Sequence, residues 1–383
     1  MKWNSYMFFQ QEEVSDFWRS YYAHSNAKLL FVMGKGFDPR MNNTLKKIFE
    51  DVAYQSLDCL AVDFPAQEET DGDEFYKQNV AEFEALLKEK GISYQTITID
   101  AKLSWDNRIK SMLRQLNQIA YTSYTDIILD VSAIPCAYYY NIAKLLYDKT
   151  QYDQANFFIT VSENVEIDKL IKKKYNEETI TPLYNFRASY GMESVFNPIN
   201  IFVPLMGEDK KEHLKLVYDT FHPKEVCPVL PFPSKEPGRS DQLLWEYNDF
   251  LTDTLKVEPQ NLLYAPERDP FELYNRLEKL MQDYKDTLKL IDGQICFGFA
   301  LLTSKLLALG VLLIGLKYED EVQVYNVNSS KYDIADKKKI IEANEHSEPF
   351  LMWINENHTY EEMLKTQQSS LYIEKILYFC KKF

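Results

Sequence analysis

The chain has 383 residues, 45% of them hydrophobic and 26% charged, and a formal net charge of −15. That length points to two domains, each able to bury its own core, and the composition excludes a disordered chain. An acidic chain without a Lys/Arg-rich stripe repels nucleic acid at long range, which disfavours a polynucleotide partner.

Cys59, Cys136, Cys227, Cys296 and Cys380 are odd in number and scattered, with no CxxC pair and no paired histidines to complete a zinc site. They fit a reducing cytoplasm, and Cys59, Cys227 and Cys296 sit in apolar runs as small buried thiols. Acidic residues come too early after Met1 for a secretory signal, so the expected location is the cytoplasm. The most apolar stretch, Cys296–Leu316, is interrupted by Thr303, Ser304 and Lys305 and falls short of the roughly 20 residues that a membrane span needs. It reads as a buried strand followed by a buried helix.

In chain order, an aromatic opening segment leads to an apolar run, Leu29–Met33, then the turn Gly34-Lys35-Gly36-Phe37-Asp38-Pro39-Arg40 and a helix near Leu45–Phe49. Strands follow at Cys59–Val62, Tyr94–Ile99, Asp126–Val131 and Asn156–Val161. Helices separate them at Val80–Lys90, Asn107–Ile119 and Ala137–Tyr147, with Gly91 placed to end the first of these. Strands spaced by helices imply parallel pairing through right-handed crossovers. The run Lys172–Lys174 reads as a solvated helix end.

The rhythm lapses between Lys174 and Asn200, where the domain boundary is expected, and then resumes. Strands are expected at Ile201–Met206, Glu225–Leu230, Asn261–Tyr264, Gln294–Phe299 and Glu321–Val327, with helices at His213–Phe221, from about Asp241, at Phe271–Tyr284 and from Ser304. The fold class is therefore α/β: two successive Rossmann-like parallel-sheet domains, 1–190 and 191–330, with a small helical C-terminal tail over 331–383.

Ligands of such sheets bind outside the carboxyl ends of the strands, where helix N-termini point free amides inward. In the first half, Gly34 and Gly36 can bring backbone close to a phosphate, with Arg40 as counter-charge and Asp63 for ribose hydroxyls. Equally, the glycines relieve a tight turn and Asp38 caps a helix, since GxG lacks the third glycine of the dinucleotide fingerprint and the Lys-Ser/Thr of a P-loop. Asp130 and Ser132 occupy the next strand end, and Ser162–Asn164 the last. No acidic cluster has a recognised metal-ligand spacing, and no metal is expected.

In the second half, Thr303, Ser304 and Lys305 open the apolar helix, so that two hydroxyls, fresh amides and one lysine converge as for an anion. The bland alternative is a hydroxyl cap with a snorkelling lysine. Loop Pro231–Asp241, with Ser234, Arg239, Ser240 and Asp241, is either a phosphate grip or a proline-braced connection. There is no GxSxG elbow, and the five histidines lie in predicted helix or loop surfaces.

Glu267-Arg268-Asp269-Pro270-Phe271 before a long helix, then a strand, then Thr303-Ser304-Lys305-Leu306-Leu307 opening the next helix, resembles CRISPR-associated Rossmann-fold (CARF) sensor domains over about residues 200–330. The resemblance implies binding of a cyclic oligonucleotide, a role in prokaryotic defence or stress signalling, and phosphate contacts by Thr303, Ser304 and Lys305; Glu267 and Asp269 join them by position. The expected function is a nucleotide-responsive sensor or scaffold, with a phosphorylated small molecule as ligand and a partner protein. The alternatives are an enzyme that binds a nucleotide or S-adenosylmethionine through Gly34, Gly36 and Asp63, with Asp38 or Asp130 for acid/base work, and a structural subunit using the 27 tyrosines and 23 phenylalanines as contact surface. A homodimer is the base-rate expectation.

Overall fold

The computed structural model describes residues 7–23, 26–64, 72–153, 155–174, 180–188, 198–288, 294–327, 331–334 and 336–354. Strand β1 (Met7–Gln10) and helix α1 (Glu12–Tyr22) precede an alternation of β2 (Lys28–Lys35), α2 (Asn43–Asp51), β3 (Ser56–Asp63), α3 (Asp73–Lys90), β4 (Tyr94–Thr98), α4 (Trp105–Leu116), β5 (Asp126–Asp130), α5 (Cys136–Asp153) and β6 (Asn156–Glu163). Helix α6 (Val165–Leu170) and strands β7 (Ile171–Lys174) and β8 (Pro182–Arg187) follow. The second alternation is β9 (Ile199–Leu205), α7 (Lys211–Phe221), β10 (Glu225–Val226), β11 (Val229–Pro231), α8 (Arg239–Asp249), β12 (Leu263–Ala265), α9 (Pro270–Leu288), β13 (Ile295–Leu301), α10 (Lys305–Lys317) and β14 (Val322–Tyr325). Then come β15 (Lys331–Ile334), α11 (Lys337–Asn344) and β16 (Glu348–Trp353).

Two mixed sheets result, and their parallel parts have one topology. The first runs β4-β3-β2-β5-β6 in parallel and the second β12-β11-β9-β13-β14, so each places its first strand third and reverses direction beside it. This is the doubly wound order expected of a Rossmann-like sheet. β2 shows why its sequence is continuously apolar: Leu30 and Val32 enter one core while Leu29, Phe31 and Met33 enter another.

The core on the Leu30 and Val32 side is shared by both sheets. It joins Ile127 and Leu129 of the first to Ile201, Val203 and Phe299 of the second through helices α5, α9 and α10. Helix α10 is buried at every position from Leu306 to Leu316, and the Tyr140 hydroxyl donates to the Ala308 carbonyl at 2.6 Å. Its apolar run is thus explained by packing on both sides.

Three expectations need correction. Residues 331–354 are not a helical tail: β16 pairs antiparallel with β6 and β1 with β16, so the chain returns to extend the first sheet. The remaining residues of that expected tail, 355–383, lie outside the described ones. Lys172–Lys174 lie in β7, paired antiparallel with β15, rather than at a helix end. Arg187 and the rest of β8, expected in the first half, instead edge the second sheet beside β14. Among the described residues, no helix is long and apolar enough to cross a membrane.

Candidate functional site

The strand that would open a nucleotide crevice in the first sheet, β2, ends at a loop packed onto the loop after β5. A Cβ added to Gly34 would lie 2.8 Å from Ile134 Cγ1 and 3.1 Å from the Ala133 carbonyl oxygen, and one on Gly36 would lie 3.3 Å from that oxygen. The Asn79 amide donates to the carbonyls of Gly36 (3.0 Å) and Asp38 (2.9 Å), fixing the turn from its other side. The two glycines permit this close approach of one loop to the other.

Asp38 initiates the short 3₁₀ turn Pro39–Asn42 by accepting from the Arg40 amide at 3.0 Å. Its two carboxylate oxygens also accept from Arg40 Nε (2.9 Å) and Nη2 (2.8 Å), and Nη2 donates to Asp168 Oδ1 at 2.9 Å. Burial by itself raises the Asp38 pKa, but attraction to Arg40 and its hydrogen bonds, with Lys305 further off, hold it below the ordinary value. Arg40 is buried and matched, so it is a structural cation rather than one displayed to solvent.

Asp130 ends β5. Its Oδ1 accepts from the Ser132 amide (2.8 Å) and hydroxyl (2.5 Å), and the Ser132 hydroxyl accepts in turn from the Ser162 amide at 2.8 Å. Burial pushes the Asp130 pKa up to about 6, against the Ser132 bonds, the Thr44 hydroxyl and the Lys305 charge. Asp63, at the end of β3, accepts from the Tyr76 hydroxyl at 2.9 Å.

The second half enters this cluster through the N-terminus of α10. Lys305 Nζ donates to the Val131 carbonyl at 3.1 Å and to the Ser132 carbonyl. Ser304 is the N-cap, its hydroxyl accepting from the Leu307 amide at 3.2 Å. The Leu306 amide donates to Glu163 Oε1 at 2.9 Å, so the anion at this helix start is a carboxylate supplied by the first sheet. Glu163 is half-buried. Burial and the Asp168 charge push its pKa up to about 7, against Arg40, the Leu306 amide and Lys305.

Thr303 is half-buried beside Gly207, where a Cβ would lie 1.8 Å from the Leu302 carbonyl oxygen and 3.7 Å from the Thr303 Cα. The crevice between β9 and β13 is therefore closed by backbone contact. Glu267 accepts from Arg239 Nη1 and from the Lys235 amide (3.0 Å), while Arg239 Nε and Nη2 fork Glu208 at 2.6 and 2.9 Å. Asp269 caps α9, accepting from the amides of Phe271 (3.0 Å) and Glu272 (2.9 Å). Ser234 and Ser240 donate to the carbonyls of Glu236 and Pro231, each at 2.6 Å, which braces loop Pro231–Asp241.

Of the residues singled out in the sequence, Asp38, Arg40, Asp130, Ser132, Ser304 and Lys305 thus share one junction, and Glu267 belongs to a second charged cluster. Glu163 and Asp168 complete the junction. Glu163 stood in a strand-end segment, but its helix partner is 143 positions away and nothing local announces it. Among the described residues, no group of three His, Cys, Asp or Glu is arranged to hold a metal ion.

No family model and no curated protein matches the chain. Solved structures with some likeness include a Pseudomonas aeruginosa UCBPP-PA14 protein described as a universal stress protein, at 10% identity and TM-score 0.21, covering 84% of this chain and 97% of that one. A functionally unknown protein of Pseudomonas aeruginosa PAO1 has 11% identity and TM-score 0.20, with 83% and 96% covered. A universal stress protein of Archaeoglobus fulgidus has 10% identity and TM-score 0.23, with 78% and 96% covered. At such TM-scores the likeness identifies no relative.

Proposed function

We propose that this chain is a ligand-responsive regulatory protein in which a phosphorylated, nucleotide-type small molecule engages the junction and alters the surface offered to a partner protein. The observation that carries the reading is the Leu306 amide bound to the half-buried Glu163 carboxylate, with Lys305 and Arg40 close by. A phosphate is the natural competitor for a carboxylate at a helix N-terminus flanked by cations. Its arrival would release Glu163 from α10 and so alter how the two sheets are joined. Cyclic oligonucleotides belong among the ligands to test, on the resemblance in residues 200–330.

Native mass spectrometry of the protein purified from its own host, followed by denaturation, tests this. The reading expects a retained phosphorylated molecule in the wild type that is lost from Lys305→Ala. A protein that carries a polypeptide and no small molecule overturns it in favour of a structural subunit. Turnover of the retained molecule, rather than stoichiometric binding, would make the chain an enzyme.

A further inference from the structure

A cleft of about 280 Å³ opens between α1, α2, β6 and the segment joining α11 to β16. Trp18 and Thr160 line it, and they are 1% and 3% exposed. Their polar atoms, Trp18 Nε1 and Thr160 Oγ1, are both buried without a hydrogen-bond partner among the described residues. Leaving a buried donor unmet is costly, and an indole N–H can only donate. Two such groups on residues that line one cleft are a feature that packing alone disfavours and that a ligand bearing acceptor oxygens would satisfy if it displaced the side chains slightly to reach them.

The rim carries two lysines, both already engaged by neighbours. Lys46 and Lys47 line the cleft with Glu345 opposing them; Lys46 pairs with Glu82 at 2.7 Å, and Lys47 donates to the Ser15 hydroxyl at 2.6 Å with Asp51 at 3.8 Å. The volume lies just under the roughly 300–1,000 Å³ of small-molecule sites, which suits a compact molecule and not a dinucleotide. Behind the wall, Thr160 is paired in register with Asp130, whose pKa burial pushes up to about 6, so that it is only about half charged at pH 6.

We propose that this cleft binds a small oxyanion, a carboxylate or a phosphate, whose oxygens accept from Trp18 Nε1 and Thr160 Oγ1 with Lys47 as counter-charge. The site is separate from the helix start at Leu306 and does not depend on the function proposed for it. It lies close behind that junction, because Ser162 also lines the cleft and its amide donates to the Ser132 hydroxyl.

The test follows the Trp18 indole N–H resonance of the full-length wild type while inorganic phosphate and, separately, acetate are added against chloride at matched ionic strength. A saturable shift with either probe is expected, and the arm that saturates at lower concentration identifies the preferred oxyanion. Affinity is expected to fall about tenfold in Thr160→Val, which removes the hydroxyl at nearly constant volume and keeps the Trp18 indole as reporter. An unmoved indole resonance with both probes, or equal affinity in folded Thr160→Val and wild type, overturns the proposal. Nucleotide binding at the junction is read in a separate titration, so that either site can fail alone.

Discussion

The Leu306 amide, at the first turn of a helix from the second half, donates to Glu163 Oε1, at the end of a strand in the first half, at 2.9 Å. One hydrogen bond thus ties the two sheets at the place where each would otherwise present a ligand site. Arg40, Asp168 and Lys305 set the electrostatics of that bond.

The pH dependence of stability should carry the signature of Glu163. Its folded pKa, about 7, and that of Asp130, about 6, both exceed ordinary carboxylate values because burial disfavours the charged form. A raised carboxyl pKa favours the fold fully below the unfolded value, and that contribution is lost as pH rises through the folded one. The wild type should lose on the order of 1–3 kcal/mol from these groups between pH 5 and pH 8. His213, half-buried and held below the ordinary imidazole value by burial and Lys210, acts in the opposite direction. Urea titrations at both pH values should therefore compare wild type with Glu163→Gln, which is expected to flatten the decline; an identical pH dependence in the two proteins contradicts the assignment.

Gly207 and Gly36 should respond differently to alanine. A Cβ at Gly207 meets the Leu302 carbonyl at 1.8 Å, a backbone atom that cannot yield, whereas one at Gly36 meets its nearest neighbour at 3.3 Å. Gly207→Ala is expected to cost about 3 kcal/mol or to prevent folding, and Gly36→Ala below about 1 kcal/mol. Chemical denaturation of the two variants checks the order, and a tolerated Gly207→Ala would mean that the β9 and β13 loops separate in solution.

Arg40→Lys should destabilise the protein although charge is kept. The guanidinium forks Asp38 and reaches Asp168 with the same nitrogen, geometry that one ammonium cannot reproduce in a buried site. A loss of about 1–3 kcal/mol is expected by denaturant midpoint. Unchanged stability would show that the network contributes no more than a solvated pair.

Lys305→Met should loosen the junction without unfolding either sheet. Its ammonium bridges the Val131 and Ser132 carbonyls from the opposite half. Hydrogen exchange is expected to quicken around residues 131–135 and at Leu306, while the amides of β2 and β9 stay protected. Uniform protection in the variant would contradict a role for Lys305 in joining the halves.

Local pattern was enough to reveal the parallel strands and α10. Runs such as Leu29–Met33 are apolar because both faces are buried, and the break at Thr303-Ser304-Lys305 marks a helix start that Ser304 does cap. What stayed hidden depends on contacts distant in sequence. β16 contains Pro349 and begins with Glu348, which obscures its strand pattern, and its partner β6 lies far upstream. The turn at Gly34 and Gly36 has the composition of a phosphate loop, but whether its space is open depends on the position of Ala133, which no spacing encodes. Likewise Thr303-Ser304-Lys305 left an anion site and a capped helix with a snorkelling lysine both open, and the contact of the Leu306 amide with Glu163 emerges only when the two sheets are joined.

The most direct measurement is isothermal titration of the full-length wild type with mono-, di- and cyclic nucleotides, repeated on Glu163→Gln and Lys305→Ala. Saturable binding of at least one nucleotide is expected, tightened by removing the competing carboxylate charge in Glu163→Gln and weakened about tenfold or more in Lys305→Ala, in line with loss of one charge-assisted contact. Flat titrations across the panel in both wild type and Glu163→Gln would contradict it and leave the junction as a purely structural tie.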